Sequence, residues 1–279
     1  MSNAFLNSER PFHSLTKKDF DQLKKSGMLW ELYPEAPEYW SQTKGNLMNN
    51  NTVELIGHYG DDEVHACSAW TSTSREITDE KRNRIPQLLS FLAKEGHHTP
   101  FEKSSIHFLV DCDIASHIHI LKHRIGVSVN AESARYKELK EDKCYIPDDW
   151  SGIADENGYK TGIKRTDNID FGNRDAFNWS DALLQYTELG NKLYHACIKD
   201  LEPVLGRKRA KESARFFKTY NSQICADVMF NWRSFYHFQE LRNKPDAQKE
   251  IREIAQVMLD LVKNIEGNPF EHTIAAFGL

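Results

Sequence analysis

No apolar stretch in this 279-residue chain approaches the roughly 20 positions a helix needs to cross a bilayer. The polar first twenty residues lack the apolar core of a signal peptide. A non-exported protein of the cytoplasm, without membrane partners, is expected. Also missing are a Gly-x-Gly-x-x-Gly loop, a P-loop and a Gly-x-Ser-x-Gly elbow, which argues against a standard Rossmann dehydrogenase, P-loop NTPase or serine hydrolase. The five cysteines (Cys67, Cys112, Cys144, Cys197, Cys225) are odd in number, scattered and free of any CxxC pair. That pattern fits reduced thiols better than a disulfide framework or a zinc site. Cys144 and Cys225 are the nucleophile candidates, although a lone cysteine is most often a small buried hydrophobe. A surplus of charge is lacking as well: 36 Lys and Arg against 41 Asp and Glu leave a net −5, so any anion site must be local. What is present, 39% hydrophobic and 11% aromatic residues without biased tracts, suffices to fill a core.

Residues 1–50 read as an N-terminal extension, with a short helix near 15–25 and an aromatic stretch (Trp30, Tyr33, Tyr39, Trp40) broken by Pro34 and Pro37. Glu31, Glu35 and Glu38 among those aromatics argue against a base-stacking platform. A strand is expected at 53–56. Thr78 should cap a helix carrying Ile85, Leu88, Leu89 and Leu92 as far as Lys94, ended by Gly96. Residues 105–112 alternate as a strand, and Ile114, Ile118, Leu121 and Ile125 form one helical stripe. The stretch 150–178, rich in Gly, Asp and Asn, reads as a surface insertion. Helices are expected at 181–201, 207–220, 225–241 and 246–265. One α/β (α+β) domain over 51–279 follows.

The most informative segment runs from Ile114 to Tyr136. Lys122, Arg124 and Arg135, with Ser128, Ser133 and Asn130, make a donor-rich stretch suited to a phosphate or another anionic group, with a solvated basic surface as the competing reading. His117, His119 and His123 invite a metal, but Lys122 and Arg124 would repel a cation and no Glu completes an H-E-x-x-H pattern, so no metal is expected. A second basic run, Arg207, Lys208, Arg209 and Lys211, reads as a solvated face whose functional competitor is a nucleic-acid patch. Arg215, between Ala214 and Phe216-Phe217, is expected in apolar surroundings that demand an anionic partner or a buried set of hydrogen bonds.

Together these blocks resemble the flavin-dependent thymidylate synthases. Gly96-His97-His98-Thr99-Pro100-Phe101-Glu102 is similar to that family's Gly-His-x-Thr-Pro-x-Glu turn. Lys122-His123-Arg124 followed by Ser133 and Arg135-Tyr136 resembles its Arg-His-Arg, seven residues, Ser-x-Arg-Tyr signature. Arg215, Asn231-Trp232-Arg233 and Arg242 recur in the family's order. The resemblance implies a domain with a central mixed sheet flanked by helices and an enzyme that methylates dUMP to dTMP. FAD, NADPH or NADH, and methylenetetrahydrofolate are the cofactors and one-carbon donor it implies, and a homotetramer with shared sites the assembly. It implies FAD contacts at Thr99, Lys122, His123, Arg124, Asn130, Asn231, Arg233 and His237. It implies nucleotide contacts at His119, Lys122, Ala131, Glu132, Ser133, Arg135 and Arg215, the last two from a neighbouring subunit. Arg242 would be the catalytic residue that holds the uracil and activates it without a cysteine.

The chain departs from the family pattern at several points. Lys122 stands for an Arg, one extra residue precedes Ser128, Ala131 takes an acidic position with Glu132 one step late, and Asp246 replaces a His. Such divergence resembles viral and phage members, which would place the protein in a host cytoplasm. It also leaves a flavin-dependent pyrimidine hydroxymethylase or a dCMP-acting paralogue as the alternative, with a non-catalytic nucleic-acid-binding protein more remote.

Overall fold

The computed structural model describes residues 44–46, 51–74, 76–150 and 179–279, with the backbone alone at 44–46, 179 and 181. The expected helix and aromatics of the extension and nearly all of the insertion therefore lie outside the described residues. Five strands form one sheet: β1 (Lys44–Asn46), β2 (Thr52–Tyr59), β3 (Ser105–Asp113), β4 (Val127–Ala131) and β5 (Gln223–Phe230), in the order β1-β2-β3-β5-β4. Among the described residues nine α-helices accompany it: α1 (Asp62–Trp70), α2 (Asp79–Asn83), α3 (Ile85–Lys94), α4 (Ile114–Leu121), α5 (Trp179–Leu205), α6 (Arg207–Ala214), α7 (Trp232–Arg242), α8 (Lys249–Lys263) and α9 (Glu271–Phe277).

The α/β class stands, but every strand pair is antiparallel, against the expected mixed sheet. The reason lies in the chain order. β3 and β4, joined through α4, run in the same direction, yet β5 inserts between them in the opposite sense, so no parallel pair is made.

Period-two alternation decides which sheet face is covered. Val53, Leu55, Ile106, Phe108, Val110, Ala226, Val228 and Phe230 all point into one core. Leu89 and Leu92 of α3, Phe235 and Phe238 of α7, Ile251, Ile254 and Met258 of α8, and Ile274 of α9 close over it. Each such side chain contributes roughly 1.5–3 kcal/mol of burial. A second, smaller core of Leu139, Tyr194, Ile198 and Ala214 lies where α5 and α6 meet the segment after β4.

Several boundaries differ from expectation. The helix expected at 225–241 is strand β5 followed by α7, because Ala226, Val228 and Phe230 alternate inward and Asn231 then caps a new helix. The Thr78-capped helix breaks at Arg84, where Pro86 opens α3 in its first turn. α4 stops at Leu121, leaving Ile125 85% exposed in the following turn instead of on the helical stripe. The expected 207–220 helix ends at Ala214 and tightens into a 3-10 turn, Arg215–Phe217.

Candidate functional site

The turn between α4 and β4 is fastened to the start of α7. Asn231 is the N-cap of α7, its Oδ1 accepting the Ser234 N–H at 2.8 Å, while its own N–H donates to the Gly126 carbonyl at 2.9 Å. Ser234 Oγ donates to the Ile125 carbonyl at 2.6 Å. Gly126 is required here: its φ is +65°, and a Cβ would stand 2.3 Å from Asn231 Nδ2.

This fastening sets Lys122, His123 and Arg124 beside α7. The His123 ring is buried against Phe238 at a centroid distance of 5.0 Å and His237 at 5.8 Å. Arg242 Nε donates to His123 Nε2 at 3.1 Å, which leaves the imidazole proton on Nδ1. Burial, then the charge of Arg242, pushes the His123 pKa down to about 4, so the ring is a neutral acceptor at physiological pH. Arg233 donates through Nη1 to Glu102 Oε1 at 2.5 Å. Glu102 belongs to the 3-10 turn Thr99–Lys103, which opens with exposed Thr99 and packs on α7. His119 meets Gln248 Oε1 at 3.1 Å. Lys122 and Arg124 are exposed and have no side-chain partner among the described residues. One region of the chain thus gathers Thr99, Lys122, His123, Arg124, Asn231, Arg233, His237 and Arg242.

The other candidates fall elsewhere. Asn130 lies exposed on β4, on the sheet face opposite the helix-covered core, so one chain does not group it with Asn231 and Arg233. Ala131 packs against the main core. Glu132 is engaged through both oxygens, accepting from Lys137 Nζ at 3.0 Å and from the Cys225 N–H at 3.1 Å. Ser133 and Arg135 stand on the turn after β4, where Arg135 Nε donates to Glu212 Oε1 at 2.9 Å. Arg215 is exposed without a side-chain partner among the described residues, and its neighbour Phe216 is 82% exposed. The expected apolar surroundings of Arg215 are therefore absent, because α6 has ended and the 3-10 turn directs residues 215–217 outward. Arg135 and Arg215 directly follow Ala134 and Ala214 of the smaller core in the chain, whereas Arg242 ends α7, which packs on the main core.

The cysteine nucleophile reading loses ground. Burial, then Asp111 and Glu132, pushes the Cys225 thiol up to about 12, and burial raises Cys144, so neither forms a ready thiolate. In the basic run, Arg207 pairs with Glu138 and Glu202, and Arg209 with Glu212. Lys211 is buried, while Lys208 is exposed without a side-chain partner among the described residues. Among the described residues no three His, Cys, Asp or Glu side chains form a metal-holding group, and no helix is long and apolar enough to cross a membrane.

Sequence reasoning missed Ser234 and Gln248, and it gave Glu102 no role. It also read Lys211 as solvated. The N-cap spacing from Asn231 to Ser234 was the available signal for the first; nothing local marks the others.

The model of the thymidylate synthase complementing protein family matches residues 54–266. The chain belongs to this family of enzymes. A flavin-dependent thymidylate synthase of Pseudothermotoga lettingae is 30% identical over 222 residues, 78% of this chain and 88% of the relative. One of Gluconobacter oxydans is 28% identical over 224 residues, 79% of this chain and 69% of the relative. The fold is shared with a UMP/dUMP methylase from Streptomyces cacaoi, solved with 5-Br UMP, at TM-score 0.59 and 22% identity over 84% of this chain and 96% of that one. The residues matched by the thymidylate synthase complementing family include both clusters of cationic side chains described above.

Proposed function

We propose that the protein is a flavin-dependent thymidylate synthase that converts dUMP to dTMP, with methylenetetrahydrofolate as one-carbon donor and NADPH or NADH as reductant. The observation that carries this reading is Arg242 held through Nε by a neutral, buried His123. That contact leaves both Nη groups of Arg242 for the N3 and O4 edge of a uracil. A fixed cation there stabilises negative charge developing on the ring and enriches carbon 5 in electron density, with no covalent cysteine needed. The raised Cys144 and Cys225 thiols agree with that chemistry.

The donor set beside Arg242 fits a flavin dinucleotide. Lys122 and Arg124 are cations without partners, next to a neutral imidazole and the capped N-terminus of α7, which suits a diphosphate. Thr99, Lys122, His123, Arg124, Asn231, Arg233 and His237 would hold FAD, and Asn130 would join them from another copy. When bound, the flavin supplies the hydride and one-carbon chemistry. His119 and Lys122 would border the nucleotide, and Ser133, Arg135 and Arg215 would grip its phosphate. Arg135 and Arg215 follow Ala134 and Ala214 of the smaller core while Arg242 ends α7 on the main one, which supports a site shared between copies of a homotetramer.

Purified protein should be yellow, bleach with NADPH, and release tritium from dUMP labelled at carbon 5. A colourless preparation that FAD cannot reconstitute overturns the reading. Turnover of dCMP in preference to dUMP, or a hydroxymethylated product by mass, would replace it with the paralogue chemistry.

A further inference from the structure

Two lysines around Arg215 are buried without a task in the chemistry above. Lys211 lies four residues before Arg215 and Lys218 three after it, and the Lys218 side chain is only 5% exposed. Lys211 Nζ donates to the Tyr136 carbonyl at 2.7 Å. Lys218 Nζ donates to Asp142 Oδ1 and Asn191 Oδ1, both at 2.7 Å, and reaches the Leu139 carbonyl at 3.5 Å. It also sits 4.6 Å from the centre of the Tyr194 ring. Burying an ammonium costs several kcal/mol before its hydrogen bonds repay it, and an apolar side chain of similar volume would pack at lower cost. The contacts these ammoniums make share one geometry: both reach from the end of α6 and the turn beyond it to carbonyls at 136 and 139, in the segment that carries Ser133 and Arg135.

We propose that Lys211 and Lys218 are positioning residues for nucleotide recognition: they lock the 133–142 segment to the end of α6, so that Arg135 and Arg215 keep one separation matched to a phosphate monoester. This rests on the nucleotide reading given above. The arginines are prepared for that task in different ways. Glu212 occupies Arg135 Nε and leaves the Nη groups as a fork, while Arg215 projects without a partner among the described residues. His195, bridging Glu138 and Asp142 at 3.1 and 3.0 Å, braces the same segment against α5. The whole unit would travel together to the flavin half of a neighbouring copy. Holding the two backbone segments that carry these arginines before the ligand arrives lowers the ordering cost of binding it.

The test uses the flavin-loaded enzyme with Lys211→Met and Lys218→Met, which keep the side-chain length and remove the charge. Each should raise KM for dUMP about tenfold with kcat nearly unchanged, and weaken inhibition by inorganic phosphate. Turnover of deoxyuridine, which has no phosphate, should not change. In an Arg215→Ala background, Lys218→Met should add little further effect. If Arg135→Ala and Arg215→Ala raise KM for dUMP but the lysine variants do not, or if those variants impair dUMP and deoxyuridine alike, the positioning role is wrong. If the arginine variants themselves leave KM for dUMP unchanged, the nucleotide reading fails and takes this proposal with it. Should the lysine variants not fold, amide exchange of the wild type decides: inorganic phosphate should protect 133–142 and 211–218 together, and protection of only one segment overturns the proposal.

Discussion

Arg242 and His123 form the pair on which the proposed chemistry turns, and their contact makes separable predictions. Arg242→Ala should lower kcat by about 10²–10³, the cost of removing one aimed donor from a developing anion, while flavin content stays at the wild-type level. Loss of flavin with that substitution would mean that Arg242 serves the cofactor. Gly126→Ala should destabilise the fold by more than about 1 kcal/mol, since its φ of +65° disfavours any Cβ and the new methyl would collide with Asn231; thermal melting reads this directly. Three buried histidines among the described residues set the acid limit, and burial lowers His117 as it does the other two. His65, between the hydroxyls of Thr273 and Ser104, and His123 are both lowered by burial from 6.5 to about 4. Between those values the unfolded chain binds protons that the folded chain refuses, so stability falls as pH drops from 6.5 to about 4 and is flat for these groups above it. Urea unfolding at stepped pH should show that slope, and a stability unchanged from pH 7 to 4.5 would contradict it.

At the scale of elements, α7 carries the most function per residue because its N-cap also holds the α4–β4 turn. Asn231→Ala should cost about 1 kcal/mol through the lost cap. Asn231→Asp keeps a capping oxygen but sets a negative charge beside the diphosphate position, so melting temperature should hold while flavin content drops. Equal effects of both variants on stability and flavin would contradict the double role. The strand misread as helix shows where local pattern fails. Gln223 to Phe230 is eight residues with three apolar side chains turned inward, too short for periodicity to separate a buried strand from a helix start. Strand β3 was legible because Ile106, Phe108 and Val110 alternate cleanly with His107 and Leu109. The end of α4 was not legible, because Ile125 continues the apolar spacing although the chain has already turned at Lys122.

For the whole molecule, the division of the cationic residues between two cores predicts complementation. Arg215→Ala and Arg242→Ala subunits, the first impaired in KM for dUMP and the second in kcat, should regain part of wild-type activity at limiting dUMP when co-expressed, since a mixed assembly pairs an intact Arg242 half with an intact Arg215 half. Absence of any recovery in verified mixed oligomers would place both arginines in one chain's site. The sequence by itself determined the family and the order of the motif blocks, because cationic and amide side chains at fixed spacings carry that information without reference to neighbours. It also located the main core, since alternation and helical spacing are local properties of the chain. Only the tertiary structure decided that Arg215 is exposed, that Glu132 is occupied by Lys137 and the Cys225 N–H, and that His123 is neutral. Each of those outcomes depends on residues about 5 to 120 positions away along the chain. Burial and charge at a site are set by what the fold brings alongside it.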